Sequence, residues 1–413
     1  MTTVSAPTTR KSFVAAARAL LAGSGPHGVS LREVASASDR SHTLVARYFG
    51  SKAGLIDAVV DSLAAEMTEA LDIGPRSGAD PVAVLLERAH ANRVSVQLLI
   101  RCGLGELPGE PLAADDGPLR RLVEALGATP TSATRRRPQR PDLCAYAAAS
   151  LVLGWLTFDG FISEAARLTP ISATRRDDAI AMAARAVAAM ATADHPELRL
   201  RLQAEDAVTR QSRATTPEPV RPIDPRTALI DSAIELFAVR GPAAVTTREI
   251  ARHAHVNLGL QHRHFGSKAA LIAEAIEQGS MPLFPAALSD AGFDLDTVVR
   301  QVRRESLAPL LIARILVDDF EITSVREQFP IVRRLVDAYP TVPTGAGTGG
   351  LDDPRLAVAA VVALVLGSAI WDTPLRAVTG IDRRVDLDQA VSDIARALLD
   401  APHPDQPVVG LRR

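Results

Sequence analysis

The sequence predicts an all-α protein built from two tandem copies of one helical unit. Three observations carry that expectation. Hydrophobic residues make up 47% of the 413 residues but aromatics only 4%, and Ala-rich, Leu-rich composition of this kind favours closely packed helices. Alternating Val/Ile/Thr/Tyr runs of the type that mark strands are few. Third, residues 12–56 match residues 228–272 without a gap at an offset of 216, with 18 of 45 positions identical. A second echo, Leu151–Gly154 against Leu364–Gly367, has an offset of 213. A period this long means duplicated domains and not a solenoid.

The elements of the first copy follow in order. Phe13, Ala17, Leu20 and Leu21 form one helical face, and Gly25-Pro26 ends that helix. Ser30 with Glu33 three residues on is a capping box that opens a second helix. Ser41 caps a short third helix through Phe49, Gly50 stops it, and Ser51 caps a fourth helix from Lys52. The second copy repeats the series with Ile230, Ile234 and Phe237, then Gly241-Pro242, Thr246 with Glu249, Asn257, Gly266 and Ser267. The uncharged runs 143–158 and 356–371 read as buried helices, each of 16 residues and so short of the roughly 20 that span a bilayer. Each is followed by a further helix, 177–190 and 387–399, and two helices from each copy make a four-helix interface. Between the copies, residues 203–226 hold four prolines and read as a solvated linker. Residues 133–141 and 340–350 read as further breaks, with Arg135-Arg136-Arg137 on a solvated loop.

Three helices and a fourth, with a short turn between the second and third, describe a helix-turn-helix whose third helix enters the major groove. The residues Leu31-Arg32-Glu33-Val34-Ala35, Leu44 to Lys52 and Leu55 resemble the DNA-binding domain of the tetracycline-repressor (TetR) family. Thr247 to Ala251, Val256-Asn257, Arg263 to Lys268 and Leu271 repeat the resemblance. It implies an N-terminal helix-turn-helix domain and a C-terminal helical regulatory and dimerisation domain in each copy. The expected boundaries are 1–60, 61–202, a linker at 203–226, 227–275 and 276–413. The partner so implied is double-stranded DNA; the two distant cysteines make a reduced cytoplasmic setting the expectation.

The DNA-contact candidates come from this frame. Val45 and Phe49 sit four apart and face inward, which leaves Ser41, His42, Thr43, Ala46 and Arg47 on the open face. Arg32 reaches from the second helix, and Tyr48 resembles the family's phosphate contact. The second copy offers Arg248, Asn257, Leu258, Gly259, His262 and Arg263, with His264 at the phosphate position. Gln261 departs from the family, where an apolar residue is usual. Lys52 and Lys268 stand out against a composition that uses Arg for all but three of 46 cations. A compact ammonium at a helix start suits a phosphate. Charge agrees: residues 10–56 carry seven basic groups against two acidic, and residues 226–272 carry six against three, in a chain of net charge −2.

Other classes fit less well. No Gly-rich phosphate loop, catalytic triad or paired carboxylate frame is present, so an enzyme is not expected. The His-x-His pairs, His253/His255 and His262/His264, lie far from either cysteine, and no metal or other cofactor is expected. Cys102 and Cys144 make no disulfide framework. A small-molecule effector is the expected regulator, with Trp155, Phe158 and Phe161 in one copy and Phe320 and Trp371 in the other as pocket candidates or plain core. The alternative is a ligand-binding or protein-interaction module with weakened DNA binding. The two halves are expected to pair within one chain, the rival being a homodimer of tandem chains.

Overall fold

The computed structural model describes residues 6–77, 79–127, 141–190, 224–280, 294–305, 307–318, 332, 336 and 353–400. Every regular element among them is helical. The first copy holds α1 (Ala6–Ser24), α2 (Leu31–Ala37), α3 (His42–Phe49), α4 (Lys52–Ser77), α5 (Pro81–Ala91), α6 (Arg93–Gly103), the short α7 (Glu110–Ala113), α8 (Pro118–Gly127), α9 (Pro141–Ala165) and α10 (Ala173–Met190). The second holds α11 (Pro225–Arg240), α12 (Thr247–His253), α13 (Leu258–Phe265), α14 (Lys268–Ser280), α15 (Leu295–Arg300), a π-helical turn (Gln301–Glu305), α16 (Ala308–Val317), α17 (Pro354–Ile370), α18 (Asp372–Thr379) and α19 (Asp388–Asp400). The linker expected at 203–226 lies outside the described residues except for its end. There Asp224 caps α11 and Pro225 takes the first helical position, which suits proline because that N–H has no helical partner. The expected breaks at 133–141 and 340–350 also lie outside the described residues, Pro141 excepted. So do the arginine run at 135–137 and Phe320.

The chain divides into two compact units, and each draws on both copies. The first comprises residues 1–121, 204–282 and 305–328. In it α6 supports α1, α16 supports α11, and α6 meets α16. Arg101 on α6 and Arg314 on α16 are buried and do the same thing in each copy. Arg101 Nε donates to the Ala22 carbonyl at the end of α1 (3.1 Å), and Arg314 Nε donates to the Ala238 carbonyl at the end of α11 (2.6 Å). A cation at a helix C-terminus satisfies an orphan carbonyl and complements the dipole.

The second unit comprises residues 122–203, 283–304 and 329–413. Here α9 packs on α17, with α10 against α9 and α19 against α17. The crossing of α9 and α17 centres on two glycines. A Cβ built on Gly154 would lie 1.9 Å from the Ala363 carbonyl oxygen, and one built on Gly367 would lie 2.0 Å from that of Ser150. Only glycine lets the backbones meet this closely. The two contacts are reciprocal under the 213-residue offset, so the crossing has an approximate two-fold relation inside one chain. At 25 residues α9 outruns the uncharged stretch seen in the sequence, and it is long and apolar enough to cross a membrane. All of its residues from Leu143 to Phe158 are buried in this bundle. A polar cluster sits at one end of the crossing. Arg303, buried, donates to Asp388 (2.9 Å), to the Ser368 carbonyl (2.8 Å) and to Asp372 (3.2 Å), while the Tyr146 hydroxyl donates to Asp372 (2.6 Å).

Candidate nucleic-acid interface

Each reading head is built from local signals that the structure reproduces. The Ser30 hydroxyl accepts from the Glu33 N–H (3.3 Å) and the Glu33 carboxylate accepts from the Ser30 N–H (2.7 Å), so the capping box closes. Thr246 and Glu249 repeat it at 3.2 and 2.8 Å. These bonds hold both carboxyls below the usual range; for Glu249, where the Thr246 bonds act first and Arg240 also donates, the pKa falls to about 2. The turn between the second and third helices holds Asp39 at φ 52° and His255 at φ 54°. Both occupy the left-handed region, which Asp and His visit more readily than most residues. The Arg40 N–H then reaches back to Ala35 O, and Val256 to Ala251 O, both at 2.9 Å. These two turn residues carry the same 216-residue offset, and sequence reasoning missed them.

The third helices present the expected faces. Ser41, His42, Thr43 and Arg47 are exposed, and Ala46 is half-buried. Asn257, Gly259, His262, Arg263 and His264 are exposed, and Leu258 is half-buried. Arg32 and Arg248, on α2 and α12, are exposed. Ser41 and Asn257 have their side-chain oxygens engaged as caps, accepting from Thr43 and Gly259 N–H. Tyr48 is half-buried, its ring 6.0 Å from Phe13 and 6.4 Å from Phe49. Arg10 lies over the Phe49 ring at 5.4 Å and Arg226 over the Phe265 ring at 5.6 Å, another matched pair.

The heads differ inside. Val45 is fully buried under α3. Its counterpart Gln261 is equally buried under α13, and neither amide atom meets a hydrogen-bond partner among the described residues. Lys52 and Lys268 both open the fourth helix of their head and are half-buried. The Lys268 ammonium donates to the Pro242 carbonyl, and burial lowers its pKa. No group of three His, Cys, Asp or Glu side chains is placed to hold a metal ion among the described residues.

Four of the aromatic candidates lie in the second unit. Trp155, Phe158 and Trp371 are fully buried and Phe161 is half-buried. The Trp155 indole N–H donates to Asp177 (2.9 Å), and that of Trp371 to the Thr157 hydroxyl (3.3 Å). Both polar handles are satisfied within the packed core, as buried indoles require.

Comparison with known proteins agrees with this geometry. The sequence pattern of bacterial regulatory proteins of the tetR family matches the chain twice, over residues 13–59 and 229–275. The HTH-type transcriptional repressor Rv3405c of Mycobacterium tuberculosis is 34% identical over 179 residues, covering 43% of this chain and 89% of the relative. The HTH-type transcriptional regulator Mb3439c of Mycobacterium bovis matches to the same extent. The HTH-type transcriptional regulator BetI of Rhizobium meliloti is 46% identical over 59 residues, 14% of this chain and 27% of the relative. A match that spans most of a relative but less than half of this chain fits two copies in tandem.

Proposed function

Because the chain belongs to the tetR family of bacterial regulatory proteins and is a DNA-binding regulator, we propose that it acts as a ligand-responsive repressor in the form of a single-chain pseudo-dimer. One observation carries the reading: the reciprocal Gly154–Gly367 crossing seats the two copies on each other within one polypeptide. Two halves already joined hold each other at millimolar effective concentration, which outcompetes pairing between chains.

In this reading the open faces contact DNA. His42, Thr43, Ala46 and Arg47 read one half-site, and Leu258, Gly259, His262 and Arg263 read another. Arg32 and Arg248 reach base edges from the preceding helices. Ser41, Tyr48, Lys52, Asn257, His264 and Lys268 set the phosphates. The two faces differ in sequence, so the operator is asymmetric, with half-sites spaced roughly 34–36 Å or a multiple of it. A small molecule acting on the helical parts would shift the balance between head arrangements, and operator DNA would weaken its binding by the same factor. Gln261 favours a second reading of the division of labour, in which head one supplies most of the affinity.

Light scattering and footprinting test the proposal. A particle near the chain mass of 43.8 kDa, alone and per duplex, is expected. A stable species of twice that mass with a footprint of four half-sites would replace the pseudo-dimer by a homodimer of tandem chains. Titration of a compound library against the complex tests the effector.

A further inference from the structure

Within the first compact unit, four charged side chains from the two copies meet in one buried cluster. Arg101 Nη1 donates to Glu106 (2.6 Å) and Nη2 to Asp318 (3.0 Å). Arg314 donates to the other Glu106 oxygen and, at 3.4 Å, to the Leu104 carbonyl. The remaining Asp318 oxygen accepts from the Ala243 N–H at 3.0 Å, in the turn after α11. Arg101 is 2% exposed, Arg314 and Asp318 each 5%, and Glu106 12%. Two cations and two carboxylates balance, so the cluster is neutral as a whole.

Its outer contacts give it a direction. Arg101 also holds the Ala22 carbonyl, the last turn of α1 in head one. Arg314 holds the Ala238 carbonyl, the last turn of α11 in head two. One path therefore runs from Ala22 through Arg101 and Asp318 to the Ala243 N–H. A second runs from Ala238 through Arg314 and Glu106 back to Arg101. Each head is tied by its first helix to a carboxylate that the other head's arginine also grips or that the other head's turn supports.

A buried ion pair gives little stability over a hydrophobic one. Fixed, directional charge pairs contribute register instead. We infer that Arg101, Glu106, Arg314 and Asp318 form a clamp that fixes the position of one head against the other and so sets the half-site spacing the chain accepts. The inference rests on the pseudo-dimer reading for its DNA consequence, but its structural half stands apart from DNA. Arg101, Glu106, Arg314 and Asp318 are positioning residues; the base-reading side chains lie elsewhere.

Two measurements on the full chain test it. Spin labels at Ala19→Cys and Glu235→Cys, exposed and equivalent positions on α1 and α11, report the distance between heads, since Cys102 and Cys144 are buried. The unmodified clamp should give one narrow distance. Asp318→Asn keeps an acceptor for the Ala243 N–H and removes the charge facing Arg101; Glu106→Gln does the same on the other side. Both should broaden the distance while helix content by circular dichroism stays unchanged, and Glu106→Gln decides alone if Asp318→Asn does not fold. The second measurement uses duplexes that the unmodified chain selects from a random-sequence library. Each base pair inserted between half-sites turns one of them roughly 35° about the DNA axis. A rigid pair of heads should then lose about 10²-fold in affinity, the avidity of simultaneous engagement. The clamp variants should lose about tenfold or less and keep the same half-site sequences. An unchanged distance distribution in both folded variants overturns the clamp whatever the DNA result. Broadened distances with an unchanged spacing profile overturn its role in spacing. If no paired half-sites are selected at all, the operator reading fails, and the distances still decide the clamp.

Discussion

Head one and head two share caps, turn residues and aromatic–arginine contacts position by position, yet their interiors differ. Under α3 the buried site is Val45; under α13 it is Gln261, whose amide meets no partner among the described residues. A buried polar group without a partner costs about 1–3 kcal/mol. At the fourth helix, the Lys268 ammonium is drawn to the Pro242 carbonyl. At the second helix the order reverses, because Arg240 adds an ion pair to the Glu249 cap at 3.0 Å and its counterpart in head one is Ser24. Duplication preserved what each head needs to fold locally, and let drift what sets how firmly each reading helix is held.

The largest expected effect comes from exchanging the interior residues. Val45→Gln should destabilise head one by about 3 kcal/mol, and Gln261→Val should stabilise head two by about 2 kcal/mol. Amide exchange read separately over 42–49 and 258–265 checks both. If Gln261→Val leaves the protection of 258–265 unchanged, the amide has partners in solution and the heads are alike inside. Next, Arg47→Ala and Arg263→Ala should each cost about 1–3 kcal/mol against one half-site only. Binding to operators mutated in one half at a time measures this, and equal losses on specific and random DNA would move both residues to phosphate contact. Lys52→Ala should lower the salt slope of binding by about one unit. Lys268→Ala should lower it by less, since its ammonium is already engaged and releases a weaker phosphate contact; equal slopes would erase that difference between heads.

The smallest effect is a pH dependence. The folded pKa values of Glu33 and Glu249 lie below their ordinary carboxylate value, so both caps contribute fully above the unfolded pKa. The contribution falls as pH drops through the folded value, about 2 for Glu249. Between pH 5 and pH 2, the start of α12 should therefore lose protection, and Glu249→Gln should flatten that loss. A flat profile in the unmodified chain would remove the carboxylate from the cap.

What the sequence disclosed was local. Ser30 with Glu33, Thr246 with Glu249, and the glycines after each third helix act over three or four residues, so their spacing alone places the heads. Gln261 was legible as an odd residue at an inward position, though not that its amide meets no partner among the described residues. The clamp was hidden because, Arg101–Glu106 apart, its members are 75 to 217 residues from the groups they bind. A trace of it existed: Arg101 and Arg314 interrupt apolar runs at the same 213-residue offset, and a charge kept twice inside a buried helix asks for a partner. The Asp39 and His255 turn gave no pattern beyond residue types that tolerate positive φ. The pocket candidates Trp155 and Trp371 could not be told from core by composition, because an aromatic run looks the same in either setting.

The seam between α9 and α17 has a consequence for how such a protein changes over time. Where two identical chains meet on an axis, every substitution enters twice and faces itself, so bulky or charged residues beside the axis are admitted only in self-compatible pairs. Here Tyr146 stands where the other copy has Ala359, and Thr157, which receives the Trp371 N–H, stands where the other copy has Ile370. A ring stands on one side where the other has a methyl, and a hydroxyl can answer one indole without a second hydroxyl left over. The fused seam is adjusted one side at a time, and each mutation in it is felt once.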